Sequence, residues 1–297
     1  MKHISILLPD LETGGAQRIM LLLSREFSRR GLQVEIVVLK TGGPLYNTIP
    51  EGVNLTLLHA NGQGLRFALS SALRLAGWMR QTRTDALLSS LRGTNLLAIL
   101  TRSLLKAHLR LVIREAASVS KTATGLRLQA MRWLYPCADC TIAINPVMKE
   151  ELTTCLGIPA AQTVFIPNPV DINWLRKKAR AAITLPWPKD KEKKIVVSVG
   201  RLIPEKDFPT LLRAFALQPA SLKARLIIVG EGPEQKNIEL LIKELGLDES
   251  VHLAGFDDNP WRWMASAQLF VLSSQAEGFP NALMEALVLG LPAIVTR

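Results

Sequence analysis

Apolar runs and helical periods alternate along the chain from its first residues. The run 4–8 is apolar apart from Ser5 and predicts a strand. A helical period over 15–30 follows it, and then a strand over 34–39. Strands are next expected at 53–58 and 86–90, with a helix near 67–80 between them. The pattern continues as a helix over 94–106, a strand over 111–113 and a helix near 126–134. Strands over 141–144 and 163–166 flank a helix near 147–155. Near-continuous apolar strands separated by amphipathic helices predict a parallel sheet covered on both faces.

The pattern breaks at Ile166-Pro167-Asn168-Pro169-Val170-Asp171. Two prolines around one asparagine forbid a helix there. A charged stretch from Arg176 to Lys194, interrupted by Pro186 and Pro188, follows. The expected organisation is therefore a domain over 1–171, a linker over 172–193 and a second domain over 194–297. The alternation restarts with strands at 195–199, 225–229, 251–254, 269–272 and 293–295. Helices are expected over 208–217, 233–245 and 281–289. The fold class is α/β, with two Rossmann-like doubly wound units and no sequence repeat between them.

Composition narrows this picture. A chain of 297 residues that is 48% hydrophobic buries a core in each of two domains. The formal net charge is +11. Residues 1–171 hold 19 Lys/Arg against 11 Asp/Glu, and the remainder 17 against 14, so the first half carries +8 and the second +3. Such a surface suits nucleic acid, an anionic membrane or a phosphorylated ligand. Nucleic acid is the poorest of these, because aromatic residues are not interleaved with the cations and no nucleic-acid motif is present. Three cysteines, Cys137, Cys140 and Cys155, give no disulfide framework and suit a reducing cytoplasm. Cys137 and Cys140 have no second ligand pair at zinc spacing and read as structural. Residues 1–9 read as a first strand rather than a signal peptide. No apolar run reaches the roughly 18 residues that span a bilayer, so membrane contact is expected to be peripheral.

Candidate chemistry gathers after strands of the second half. The run 195–199 leads into Gly200-Arg201, with Glu205-Lys206 beyond. Arg201 offers a planar fork of donors and Lys206 a point charge, both suited to phosphate, although a solvated charged loop is the plain alternative. The run 225–229 ends in Gly230-Glu231-Gly232-Pro233, where glycines permit close backbone approach or simply turn the chain. The segment Glu277-Gly278-Phe279-Pro280-Asn281-Ala282-Leu283-Met284-Glu285 is richer. Pro280 and Asn281 mark a helix start whose free N–H groups favour a diphosphate. Glu285 falls one turn in, among apolar residues, where a carboxylate needs a partner. A hydroxyl-rich ligand or an internal ion pair would serve; the plain alternatives are a surface helix position for Glu285 and a charge satisfying the helix dipole for Glu277.

Gly200-Arg201…Glu205-Lys206, Gly230-Glu231-Gly232-Pro233 and Glu277-x7-Glu285, in this order and spacing, resemble the motifs of family-4 retaining glycosyltransferases. Gly14-Gly15-Ala16-Gln17-Arg18 resembles that family's glycine loop, and the 166–171 segment its interdomain connection. The resemblance spans the whole chain. It implies a GT-B architecture, two Rossmann-like domains facing a cleft, with the sugar nucleotide on the second and the acceptor on the first.

Arg201 and Lys206 would bind the donor diphosphate, Glu285 the ribose hydroxyls and Glu277 the donor sugar near its reacting carbon. Gly230, Gly232, Phe279, Pro280 and Asn281 would complete the donor site. Gly14 and Gly15 would approach the diphosphate or acceptor. Glu115, in the loop after 111–113, would contact acceptor or sugar, or be a paired loop charge. Relatives often place a histidine in this loop, and this chain has none there; His108 lies before the strand. Arg102 and Lys106, among Leu104 and Leu105, read as a solvated helix face or as one resting on anionic lipid.

The implied reaction moves a hexose or N-acetylhexosamine from a nucleotide sugar, UDP before GDP, to a glycan or lipid-linked acceptor in cell-surface polysaccharide synthesis. No cofactor is expected, and the absence of an Asp-x-Asp pair agrees with metal independence. Relatives continue beyond the segment matching Gly290–Thr296, so the second domain is expected to be incomplete. That motivates the alternative of an inactive fragment with residual donor binding.

Overall fold

Each apolar run expected to be a strand forms one. The computed structural model describes residues 2–12, 14–187, 193–219, 222 and 224–296. Its chain divides into two units, Met1–Pro169 and Val170–Arg297.

In the first unit the strands are β1 (His3–Leu8), β2 (Gln33–Val38), β3 (Val53–Leu57), β4 (Ala86–Ser90), β5 (Arg110–Glu115), β6 (Cys140–Ala143) and β7 (Thr163–Phe165). They form one sheet in the order β3-β2-β1-β4-β5-β6-β7, with every pair parallel. Helices α1 (Gly15–Arg29), α2 (Gly64–Gln81), α3 (Arg92–Leu105), α4 (Val119–Thr122), α5 (Gly125–Leu134) and α6 (Pro146–Leu156) fill the crossovers that parallel pairing requires. Helix α1 lays Ile19, Met20 and Leu21 on Ile6, Leu8, Val34, Ile36 and Val38, the same-parity positions of β1 and β2.

The second unit opens with α7 (Ile172–Ala179) and holds strands β8 (Ile195–Val199), β9 (Arg225–Val229), β10 (Val251–Gly255), β11 (Leu269–Leu272) and β12 (Ala293–Val295). Their order is β10-β9-β8-β11-β12, again all parallel. Its other helices are α8 (Phe208–Ala216), α9 (Gln235–Glu244), α10 (Trp261–Ser266) and α11 (Asn281–Val288). The period of two in β9 sorts its residues between two cores. Leu226 and Ile228 meet Phe208, Leu212 and Ile238 of α8 and α9. Ile227 and Val229 meet Leu175, Trp261, Met264 and Ala286 of α7, α10 and α11. Both faces are covered, which is why these strands read as unbroken apolar runs.

In each sheet the first strand has the second on one side and the fourth on the other. Strand order therefore reverses between β1 and β4, and between β8 and β11. Such a reversal opens a crevice at the carboxyl ends of the strands, the usual ligand position in open α/β sheets.

The expected linker needs correction. Residues Ile172–Ala179 are helix α7 of the second unit, with Leu175 and Ala179 buried against its core. The Asp171 carboxylate caps this helix by accepting from the Trp174 N–H at 2.9 Å. Charge on its solvent side hid that apolar contact. Residues 188–192 of the expected linker lie outside the described residues. Helix α10 also escaped the periodicity, being only six residues long.

His252 of β10 lies between the Trp187 and Trp263 rings, with centroids 6.0 and 5.9 Å away. Burial lowers its pKa below the ordinary histidine value. The unfolded chain therefore takes up this proton first as pH falls, and stability drops as pH passes down through about 6.5. The carboxylates whose pKa values are lowered, such as Asp257, titrate well below this window. Urea denaturation at pH 7.5 and 5.5 should show a smaller stability at the lower pH, and His252→Gln should flatten the difference. An equal slope in the variant would contradict the assignment.

Candidate active site

Three loops meet at the carboxyl edge of the second sheet because β8 lies between β9 and β11. The loop after β8 begins at Gly200 and packs on the loop after β9. Gly200 N–H donates to the Val229 carbonyl at 3.0 Å, and Leu202 N–H to the Glu231 carbonyl at 2.9 Å. A Cβ at Gly230 would overlap the Gly200 carbonyl oxygen, and one at Gly232 the Leu202 carbonyl oxygen. Gly230 also has a φ of +145°, a conformation that L side chains rarely adopt. These two glycines thus let two strand-end loops touch; that is what the structure shows of their purpose.

The loop after β11 closes on the same place. Lys206 ends a short 3-10 turn, Pro204–Lys206, and its Nζ lies 2.5 Å from Glu277 Oε1. Ser274 Oγ donates to the same oxygen at 2.7 Å. Neither hydrogen bond uses Glu277 Oε2. Ser273 Oγ donates to the Lys206 carbonyl at 2.8 Å, and Gln275 N–H to the Glu205 carbonyl at 2.9 Å. Asp207, at φ +47°, caps α8 through Thr210 and accepts from Gln275 Nε2 at 3.2 Å. Burial pushes the Asp207 carboxyl up, but donors from Thr210 and Gln275 outweigh it and hold the pKa below the usual range. The Lys206–Glu277 pair therefore bridges the β8 and β11 loops at the point of strand reversal.

Arg201 stands on the same β8 loop, exposed, and its guanidinium has no partner among the described residues. Phe279 and Pro280 are half-buried just before α11, and Asn281 is its first residue. The first-turn N–H groups of α11 have no acceptor within the helix, and its dipole favours an anion there. Glu285 sits one turn along, half-buried and already engaged by a partner. Arg201, Lys206, Glu277, Gly230 and Gly232 are thus brought to adjoining loops, with Glu285 on the helix that follows.

In the first unit, Gly14 caps α1 directly after the β1 loop, and Gly15 opens the helix. Gln17 Nε2 donates to Asp10 Oδ1 at 2.8 Å and fixes this loop. Leu91, at the end of β4, has a φ of +76°, a strained conformation for leucine next to the strand reversal.

Glu115 is a different matter. It is 2% exposed, and donors surround its carboxylate. Arg92 Nη2 is 3.2 Å from Oε1, Tyr135 Oη donates to Oε2 at 2.7 Å, and the Ala117 N–H donates to Oε1 at 3.2 Å. Asn95 Nδ2 extends the group to the Arg114 carbonyl at 3.0 Å. Glu115, expected either as a substrate contact or as a paired loop charge, is the centre of an internal network. Burial first, and the Glu115 charge second, raise the Tyr135 phenol well above its ordinary value, so it remains a donor. Arg114 is buried too. Its guanidinium donates to Ser90 Oγ at 3.0 Å and to Asn168 Oδ1 at 2.5 Å. Burial lowers its pKa to about 10, so it is charged at neutral pH. Arg102 is likewise committed, to the Leu109 and Cys137 carbonyls and to Asp139, so it leaves the solvated face expected of it.

Sequence reading passed over Ser273, Ser274, Arg92 and Tyr135. The serines directly follow an apolar strand, a legible signal. The Arg92–Glu115 pair joins the ends of adjacent strands, which no local spacing reveals. Among the described residues no three His, Cys, Asp or Glu side chains gather as metal ligands, and no helix is long and apolar enough to cross a membrane.

Residues 13–174 match the family described as Glycosyltransferase Family 4, and residues 180–297 match Glycosyl transferases group 1. A Campylobacter jejuni N-acetylgalactosamine-N,N'-diacetylbacillosaminyl-diphospho-undecaprenol 4-alpha-N-acetylgalactosaminyltransferase is 28% identical, covering 100% of this chain and 81% of its own. The Erwinia amylovora amylovoran biosynthesis glycosyltransferase AmsD is 24% identical, covering 95% of this chain and 77% of its own. Among solved structures, Anabaena HepE in complex with UDP and glucose superposes with a TM-score of 0.80 at 19% identity, covering 99% of this chain and 80% of that one. The lipopolysaccharide outer core galactosyltransferase WaaB superposes at 0.70 and 20% identity, covering 99% of this chain and 80% of that one. With both family descriptions matched in order, and two parallel α/β units beneath them, the chain belongs to glycosyltransferase family 4 and is a glycosyltransferase of GT-B fold.

Proposed function

We propose that this enzyme moves a hexose or N-acetylhexosamine from a nucleotide sugar, UDP-linked before GDP-linked, to a glycan or lipid-linked acceptor, with retention at the anomeric carbon. The observation that carries this reading is the Lys206–Glu277 pair at the β8/β11 reversal, beside the uncommitted Arg201. Arg201 and Lys206 would meet charge growing on the departing diphosphate, together with the α11 N-terminus. On this reading no metal is required. Lys206 holds Glu277 through Oε1 and leaves Oε2 to accept from a sugar hydroxyl near the reacting carbon. Glu285 would recognise the ribose. No side chain is assigned as a covalent nucleophile. The leaving phosphate would take the acceptor proton as the new bond forms on the face the diphosphate leaves.

The first unit would take the acceptor, with Gly14 and Gly15 in the approaching loop. The Campylobacter relative's name, with its diphospho-undecaprenol, supports a lipid-linked acceptor. Such an acceptor would put the work at the cytoplasmic face of a membrane. The amylovoran and lipopolysaccharide relatives support a role in cell-surface polysaccharide synthesis. Leu65, Leu69 and Leu73, one turn apart and exposed along α2, support peripheral contact with lipid.

UDP-hexoses and UDP-N-acetylhexosamines with a polyprenyl-diphosphate-linked sugar give the test. Acceptor-dependent UDP release is expected, strongly reduced in Glu277→Ala. Binding of UDP by calorimetry without release from any donor would favour the alternative, a chain that binds nucleotide sugar but does not transfer it. Release that is equal in parent and variant would remove Glu277 from the site.

A further inference from the structure

Cations gather in the first unit at the edge of the sheet opposite the glycine loop. A cavity of about 900 Å³ opens at the amino ends of β1, β4 and β5, below the last turns of α2 and α3. Lys2, Arg80, Arg83, Lys106 and Arg110 line it, against the carboxylate of Asp85. Parallel pairing brings them together. Ile4 is in register with Ala86, and Ala86 with Arg110, so residues preceding three neighbouring strands share one mouth. None of the five cationic side chains has a hydrogen bond or ion pair among the described residues. Asp85 already accepts from the His3 N–H at 2.8 Å.

Part of this charge has an ordinary explanation. Arg80 ends α2 and Lys106 caps α3, where cations complement the negative end of the helix dipole. Lys2, Arg83 and Arg110 have no such reason to converge. Like charges held together without counterions repel, and a bound anion removes that repulsion. Guanidinium forks match the oxygens of a phosphate better than a point charge does, and two of these three residues are arginines. The volume lies in the range of small-molecule sites, and among its lining residues His108 is the one ring, with no Phe, Tyr or Trp beside it for a base to stack on.

We propose that this cavity is a binding site for a polyvalent phosphate group, separate from the donor site in the second unit. The group is either a free phosphorylated compound or the headgroup phosphate of an anionic lipid.

The test uses the full chain with saturating UDP present. Calorimetry with inorganic pyrophosphate is run beside sedimentation with phosphatidylglycerol vesicles and with phosphatidylcholine vesicles. Pyrophosphate binding, or sedimentation with phosphatidylglycerol alone, is expected. The double variant Arg83→Ala/Arg110→Ala should weaken it at least about tenfold, the worth of one lost charge-assisted hydrogen bond. Arg80→Ala/Lys106→Ala should weaken it too, and supplies a second variant if the first misfolds. A pyrophosphate response identifies a free ligand; a vesicle response alone identifies lipid. The proposal is overturned if the parent binds neither, or if both folded variants bind like the parent. The comparison is between parent and variant, so its outcome stands whether or not UDP binds or is released.

Discussion

Lys206→Ala is expected to lower kcat/KM about 10²–10³-fold, the usual cost of removing one preorganised group that meets developing negative charge. The loss should fall mainly on kcat, because charge on the diphosphate grows toward the transition state. The same substitution should hardly alter stability. The Lys206 and Glu277 side chains are 21% and 22% exposed, so water replaces the lost partner, and such a pair contributes about 1 kcal/mol or less. Ser274 still donates to Glu277. An unchanged melting temperature with collapsed turnover would thus separate a chemical role from a structural one. Turnover within about threefold of the parent would show that the cation is not part of the charge-stabilising set.

Glu115→Ala should have the opposite signature. Removing one partner of a buried ion pair costs about 3–5 kcal/mol, because the remaining charge is stranded. Here Arg92, 9% exposed, would lose its carboxylate, and the Tyr135 hydroxyl its acceptor. The ends of β4 and β5 would loosen together. Tyr135→Phe removes one hydrogen bond and should cost far less, about 1–2 kcal/mol. Hydrogen exchange should therefore show lost protection across β4, β5 and α3 in Glu115→Ala, with the second unit unaffected. A fully protected first unit with reduced acceptor affinity would instead return Glu115 to the role expected from the motif.

Those two carboxylates show what is readable locally. Glu277 stands out as a candidate because its surroundings are written next to it: a strand end, Gly278, Pro280 and a helix start. Glu115 had the same apparent qualities, a charge at a strand end in a loop. Its partner Arg92 is 23 residues away and Tyr135 is 20, so the sequence could not decide between a substrate contact and a paired loop charge. Arg102 failed for the same reason, being bound to Asp139 across 37 residues. Helix α7 was missed because its apolar contact, Leu175 and Ala179, is diluted by Arg176, Lys177 and Lys178.

The sequence by itself determined the twelve strands found among the described residues, their parallel pairing and the family. Continuous apolar runs and helical spacing are local consequences of a sheet covered on both faces. It also determined which residue types stand at the carboxyl ends of the second sheet's strands. Tertiary structure decided which charges remain available. Strand order places β8 beside β11 and so makes Lys206 and Glu277 neighbours across 71 residues. The same parallel register gathers Lys2, Arg83 and Arg110 at the opposite edge of the first sheet. Whether a charge is spent internally or left for a ligand depends on long-range pairing and desolvation, which no short motif encodes.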